Sequence, residues 1–215
     1  MIGDKISYYS EYKPITDFIV ENLEITNTSN SKLCISVGGE SGCGKTSLAY
    51  ALQKDIEKET RLKGIIFHLD DYFYLPPADN HNTRLKDISL VGMNEVNIEL
   101  LDSNLMRFKK NGDIINKPLV NYNQNKILNE SISCSEYDFC IVEGTYVNAL
   151  NTPDYKIFIE TTYIDTRNSR IERARDIIND FNEKVLEIEH QIIRGHKNLA
   201  DIIIDKNLNI ITKKL

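Results

Sequence analysis

Short apolar runs alternate along this chain with stretches whose apolar residues recur every three or four positions. The runs are Leu33 to Val37, Ile65 to Leu69, Phe139 to Val142, Ile157 to Ile159 and Ile202 to Ile204. Between them, Leu48, Ala49, Leu52 and Ile56 fall on one helical face, and so do Ile98, Leu101, Leu105 and Phe108. Two later helices are predicted at 166–179, through Ile171, Ala174 and Ile178, and at 183–194, through Val185, Ile188 and Ile192. Continuous apolar strands alternating with helices predict an α/β fold, with five parallel strands covered by helices on both faces.

Before the first run, Pro14 suits the first turn of a helix, and Ile15, Phe18, Ile19 and Leu23 then share a face. Residues 1–31 therefore read as an N-terminal helical extension on a domain spanning 32–215. Thr26 to Lys32 is a polar loop. Pro76-Pro77 opens an irregular stretch that runs to Val91. Between 113 and 133, two extended segments flank Asn123-Gln124-Asn125, which predicts a β-hairpin excursion.

Composition narrows the function classes. The 215 residues are 41% hydrophobic, enough for a core, and carry a net charge of −6. An acidic chain is not expected to bind nucleic acid. No apolar run approaches the roughly 20 residues of a membrane span, and the first twelve residues lack the apolar centre of a signal peptide. Cys34, Cys43, Cys134 and Cys140 show neither a CxxC pair nor metal-ligand spacing. Reduced cysteines suggest the cytoplasm. A homo-oligomer is left open.

The chemistry is densest just after the first run. Gly39-Glu40-Ser41-Gly42-Cys43-Gly44-Lys45-Thr46 fits G-x-x-x-x-G-K-[ST], a phosphate-binding loop between a strand and a helix. Its glycines let successive N–H groups turn inward, and the helix N-terminus adds partial positive charge. Gly39, Glu40, Ser41, Gly42, Cys43, Gly44, Lys45, Thr46 and Ser47 are the expected nucleotide-binding residues. Lys45 can reach the β- and γ-phosphates, and the Thr46 hydroxyl can ligate Mg²⁺. Cys43 reads as a small loop filler.

Two acidic positions end later strands, where ligands gather in open α/β sheets. Asp70 could accept a proton from an attacking hydroxyl or hold Mg²⁺ through water, and a turn or cap aspartate is the plain alternative. Glu143 ends the third run and fits a Walker-B-like metal position. The basic cluster of Arg167, Arg170, Arg173 and Arg175 predicts a lid over 163–180 that offsets charge on a transferring phosphoryl group. A solvated face paired with Glu172 and Asp176 is the alternative. His68 reads as a core or edge histidine. Tyr72, Phe73 and Tyr74 could stack on a substrate ring or anchor a loop. Tyr72, Tyr74, Arg84, Tyr122 and Arg167 are the candidate substrate-binding residues.

Taken in order, Lys45-Thr46, Leu69-Asp70-Asp71-Tyr72-Phe73, Val142-Glu143-Gly144, Asp165 to Arg170, Arg173-Ala174-Arg175-Asp176 and Ala200 to Ile204 resemble the uridine kinase and phosphoribulokinase-like branch of P-loop kinases. The likeness spans residues 33–211. It implies a nucleoside- or nucleotide-kinase-like core with a mobile lid, and the use of ATP and Mg²⁺. It also implies catalytic roles for Asp70 as base and for Lys45, Arg170 and Arg175, with metal contacts from Thr46, Glu143 and Asp70. Two stretches depart from the pattern. Val91 to Glu95 stands where uridine kinases carry an Asp-His-Pro-like segment, and the hairpin reads Asn121-Tyr122-Asn123 without the base-reading histidine. The expected activity is phosphorylation of a small-molecule hydroxyl, first of a nucleoside such as uridine or cytidine. A sugar phosphate, a pantothenate-like metabolite, or a low-turnover nucleotide-binding regulator are the alternatives.

Overall fold

The computed structural model describes residues 8–23, 31–173 and 179–212. Five parallel strands form the expected sheet: β1 (Leu33–Gly39), β2 (Gly64–His68), β5 (Phe139–Gly144), β6 (Tyr155–Glu160) and β7 (Ile202–Asp205). A sixth strand, β8 (Ile210–Thr212), lies antiparallel on β7 and corrects the count, giving the order β2-β5-β1-β6-β7-β8. Its three residues are too short a run to show a period. Strands β3 (Ile114–Asn121) and β4 (Lys126–Ser133) form the separate hairpin, turned through Asn125 at φ 47°.

Side chains alternate across each strand, so each face of the sheet collects its own core. On one face Ile35, Val37, Ile141, Ile157 and Ile202 pack against Leu48, Leu52 and Ile56 of α2 (Lys45–Thr60) and Ile15 and Ile19 of α1 (Lys13–Asn22). On the other, Cys34, Cys140, Val142 and Phe158 pack with Leu101, Leu105 and Phe108 of α4 (Ile98–Lys109) and with Ile115 and Ile132 of the hairpin. Each fully buried large apolar residue contributes about 1.5–3 kcal/mol of transfer free energy. The N-terminal helix packs on the domain through its apolar face and contributes Ile15 and Ile19 to the core. Thr16 donates to Asp55 of α2 at 2.5 Å, and Lys13 pairs with Glu59 at 3.2 Å.

Helix α3 (Pro77–Lys86) occupies part of the stretch expected to be irregular. Pro77 starts it with a φ already suited to a helix. Asn80 is its one buried residue, so no apolar period announces it. The two later helices are α5 (Arg167–Arg173) and α6 (Asp180–Ile193). No helix among the described residues is long and apolar enough to cross a membrane.

Strand order and register position the site. β2 does not neighbour β1; β5 stands between them. Glu143 is registered against Val37 on one side and His68 on the other. The carboxyl ends of all three strands therefore open onto one edge.

Candidate active site

The loop after β1 has the backbone that a phosphate cradle needs. Gly39, Gly42 and Gly44 have φ of 151°, 80° and 94°, values that L side chains rarely adopt. Space is closed as well. A Cβ at Gly42 would lie 2.8 Å from Arg170 Cγ, and one at Gly44 would overlap Tyr12 Oη. Lys45 donates to the Glu40 carbonyl at 2.7 Å, which folds its ammonium into the loop. Cys43 faces Gly39, and burial pushes its thiol up, as befits a neutral filler. Ser47 sits in the first turn of α2 and does not line the cavity described below.

Glu40 has a role that its place in the motif did not announce. Its buried carboxylate meets His190 Nδ1 of α6 at 2.6 Å and accepts the Tyr163 backbone N–H at 2.6 Å. Thr166 donates to the Ser41 carbonyl at 2.8 Å. Loop, α6 and the start of the basic segment are thus tied together.

Thr46 and His68 converge on Glu143. The Thr46 hydroxyl donates to Oε2 at 3.2 Å, and His68 Nδ1 lies 2.6 Å from Oε1. Burial alone would raise this carboxyl. The hydrogen bond and charge of His68, helped by Lys45 and Thr46, outweigh it and hold the group below its usual 4.5. His68 is therefore a partner of the carboxylate rather than a plain core histidine. Its i−2 position before Asp70 gave no hint of that pairing.

A cavity of about 530 Å³ opens above these groups. It brings together Ser41, Gly42, Lys45, Thr46, Asp70, Glu143 and Arg170 from the phosphate side. Phe73, Tyr122 and Arg84 line it as well. Tyr122 Oη is 3.5 Å from Asp70 Oδ2. Neighbouring Asp71 plays a structural part instead. Fully buried, it accepts from Lys117 Nζ at 2.8 Å and from the Val120 N–H at 2.9 Å, which clamps the hairpin to the end of β2.

Three candidate substrate residues stand elsewhere. Tyr72 is buried in the core with its hydroxyl accepting from Asn104 Nδ2 at 3.1 Å, because the short helical turn after β2 points it inward. Tyr74 is exposed, and Phe73 takes the cavity position instead. Arg167 is mostly exposed, 3.9 Å from Glu183. Arg84 does line the cavity, but its guanidinium is engaged by Glu95 and Glu189. Arg170 is buried and donates to the Tyr163 carbonyl at 2.8 Å, while its Nε has no partner among the described residues. Arg175 lies outside the described residues.

These residues fit a nucleoside triphosphate with a divalent cation. The glycine cradle, Lys45 and the unpartnered Arg170 Nε supply donors for phosphate oxygens, and Thr46 with Glu143 supplies hard oxygen ligands. No group of three or more His, Cys, Asp or Glu among the described residues is placed to hold an ion by itself. Mg²⁺ is commonly bound through one or two protein carboxylates together with substrate phosphates.

Fold and site together define the class as P-loop kinases. The sequence matches the model of the phosphoribulokinase / uridine kinase family over residues 34–206, and the chain belongs to that family. It is 27% identical over 206 residues to a uridine kinase of Staphylococcus epidermidis, covering 86% of this chain and 96% of the relative. A bifunctional alpha-galactosidase/sucrose kinase of Mediterraneibacter gnavus is 25% identical over 193 residues, covering 83% of this chain and 20% of that protein. Among solved structures, a possible uridine kinase from Bacillus stearothermophilus matches with TM-score 0.62 at 19% identity, covering 90% of this chain and 98% of the other.

Proposed function

We propose that the protein transfers the γ-phosphoryl group of ATP to a hydroxyl of a small molecule, with a nucleoside such as uridine or cytidine as first acceptor. One observation carries the reading: Asp70 shares a single cavity with Lys45, Thr46 and Glu143. Asp70 takes the proton of the attacking hydroxyl as the phosphoryl group moves. Tyr122 orients the Asp70 carboxylate. Lys45 and Arg170 offset the charge that spreads over the phosphoryl oxygens. Thr46 and Glu143 would hold Mg²⁺, which would offset further phosphate charge when bound. Residues 163–180 serve as the lid, and their link to Ser41 and Glu40 lets phosphate binding bias its position.

A sugar is the second reading. Asn121 Oδ1 accepts the Gln124 N–H at 3.1 Å, so its amide serves the hairpin turn, and the hairpin offers Val120 and Tyr122 to the cavity. Polar groups that would read the edge of a base are scarce on that wall. The sucrose kinase likeness points the same way.

The test is transfer of label from γ-labelled ATP across a panel of nucleosides and sugars. A labelled phosphoester of one acceptor is expected. Label released only as inorganic phosphate, with every acceptor, would refute the reading.

A further inference from the structure

Arg84 of α3, Glu95 of the short turn Met93–Glu95 and Glu189 of α6 form a largely buried ion-pair cluster beside the cavity. Glu95 is saturated. Its Oε1 accepts from Asn80 Nδ2 at 3.0 Å and Arg84 Nε at 2.6 Å. Its Oε2 accepts from Arg84 Nη2 and the Gly92 N–H, both at 2.8 Å. That fork-to-carboxylate pair, with two more donors, takes up the guanidinium charge.

Glu189 is held less fully. Among the described residues its hydrogen-bond partner is Arg84 Nη2, at 3.1 Å to Oε1. The same Nη2 already serves Glu95. Oε2 of Glu189 has no hydrogen-bond donor among the described residues, although the side chain is only 12% exposed and lines the cavity. Burial pushes this carboxyl up against the pull of Arg84, so a further donor would relieve it. Asp70 and Glu189 line the same cavity, so both carboxylates are open to one bound molecule.

We propose that Glu189 is an acceptor-binding residue whose second carboxylate oxygen receives a hydroxyl of a polyhydroxy acceptor. The inference rests on the kinase reading above. One acceptor hydroxyl is presented to Asp70 and another to Glu189, which demands a polyol. A nucleoside ribose and a free sugar both meet that demand.

The test compares the best acceptor of the panel with its analogues lacking one hydroxyl, by ADP release, in the wild type, Glu189→Gln and Glu189→Ala. Retention of the ATP-induced rise in melting temperature establishes that each variant is folded and binds nucleotide. The wild type is expected to prefer the full acceptor over one of these deoxy analogues by about tenfold or more in kcat/KM. Both variants should raise KM for that acceptor about tenfold or more, leave KM for ATP unmoved, and narrow the preference. A wild type that takes every analogue keeping the reacting hydroxyl as well as the full acceptor overturns the inference while leaving the kinase reading intact. Variants with unmoved acceptor KM and unmoved preference also overturn it. No ADP release with any acceptor contradicts the kinase reading itself, and the inference falls with it.

Discussion

His68 and Glu143, 75 positions apart, meet at 2.6 Å because β2 and β5 pair in register at those two residues. The contact fixes one oxygen of the carboxylate and leaves the other to Thr46. Removing the ring should therefore free the carboxylate without deleting it. His68→Ala is expected to weaken the Mg²⁺ dependence of turnover by about 10–100-fold, the usual effect of losing an outer-shell partner. A metal titration of activity in both proteins reads this.

The same carboxylate sets an expectation for pH. Its folded pKa lies below the usual 4.5, so its contribution to stability is complete above that value and is lost as pH falls through the folded pKa. Glu143→Gln should flatten this part of the acid limb of a denaturant-stability profile. Parallel acid limbs in the two proteins would contradict the pairing.

Gly44 links the N-terminal segment to the phosphate loop. Gly44→Ala meets both a φ of 94° and the Tyr12 hydroxyl, and should cost about 1–3 kcal/mol with loss of nucleotide binding. Adding Tyr12→Phe removes the overlapping oxygen but not the strained φ, so partial recovery is expected. Thermal unfolding with and without ATP measures both parts.

The buried pair of Asp71 and Lys117 holds the hairpin over the cavity. Lys117→Met should destabilise by about 3–5 kcal/mol, since it strands a charge that is fully buried. Asp71→Asn should cost less, because Lys117 keeps Glu130 at 3.2 Å. The double variant should recover most of the loss in denaturant unfolding.

The sheet was legible in the sequence because its strands are buried on both faces and read as unbroken apolar runs. The phosphate loop was legible because its chemistry is local: Gly42, Gly44, Lys45 and Thr46 are consecutive or nearly so. What escaped is relational. His68 gained its partner only through sheet register, Glu40 only through the packing of α6, and Glu189 only through Arg84 of a helix that no apolar period revealed. Of the two readings open for Tyr72, the core position is the observed one, because the short turn after β2 points it inward and leaves Phe73 at the cavity. The outer part of the cavity is assembled from α3, α6 and the hairpin, segments whose mutual placement has no local sequence signal.

The central claim is that Asp70 takes a proton from an acceptor hydroxyl. Acceptor-dependent ADP release by the wild type, set beside Asp70→Asn, tests it most directly. The substitution keeps the shape of the side chain and removes its basicity, so kcat should fall about 10²–10⁴-fold while ATP still binds. Acceptor-dependent turnover by Asp70→Asn within a fewfold of the wild type would contradict the account.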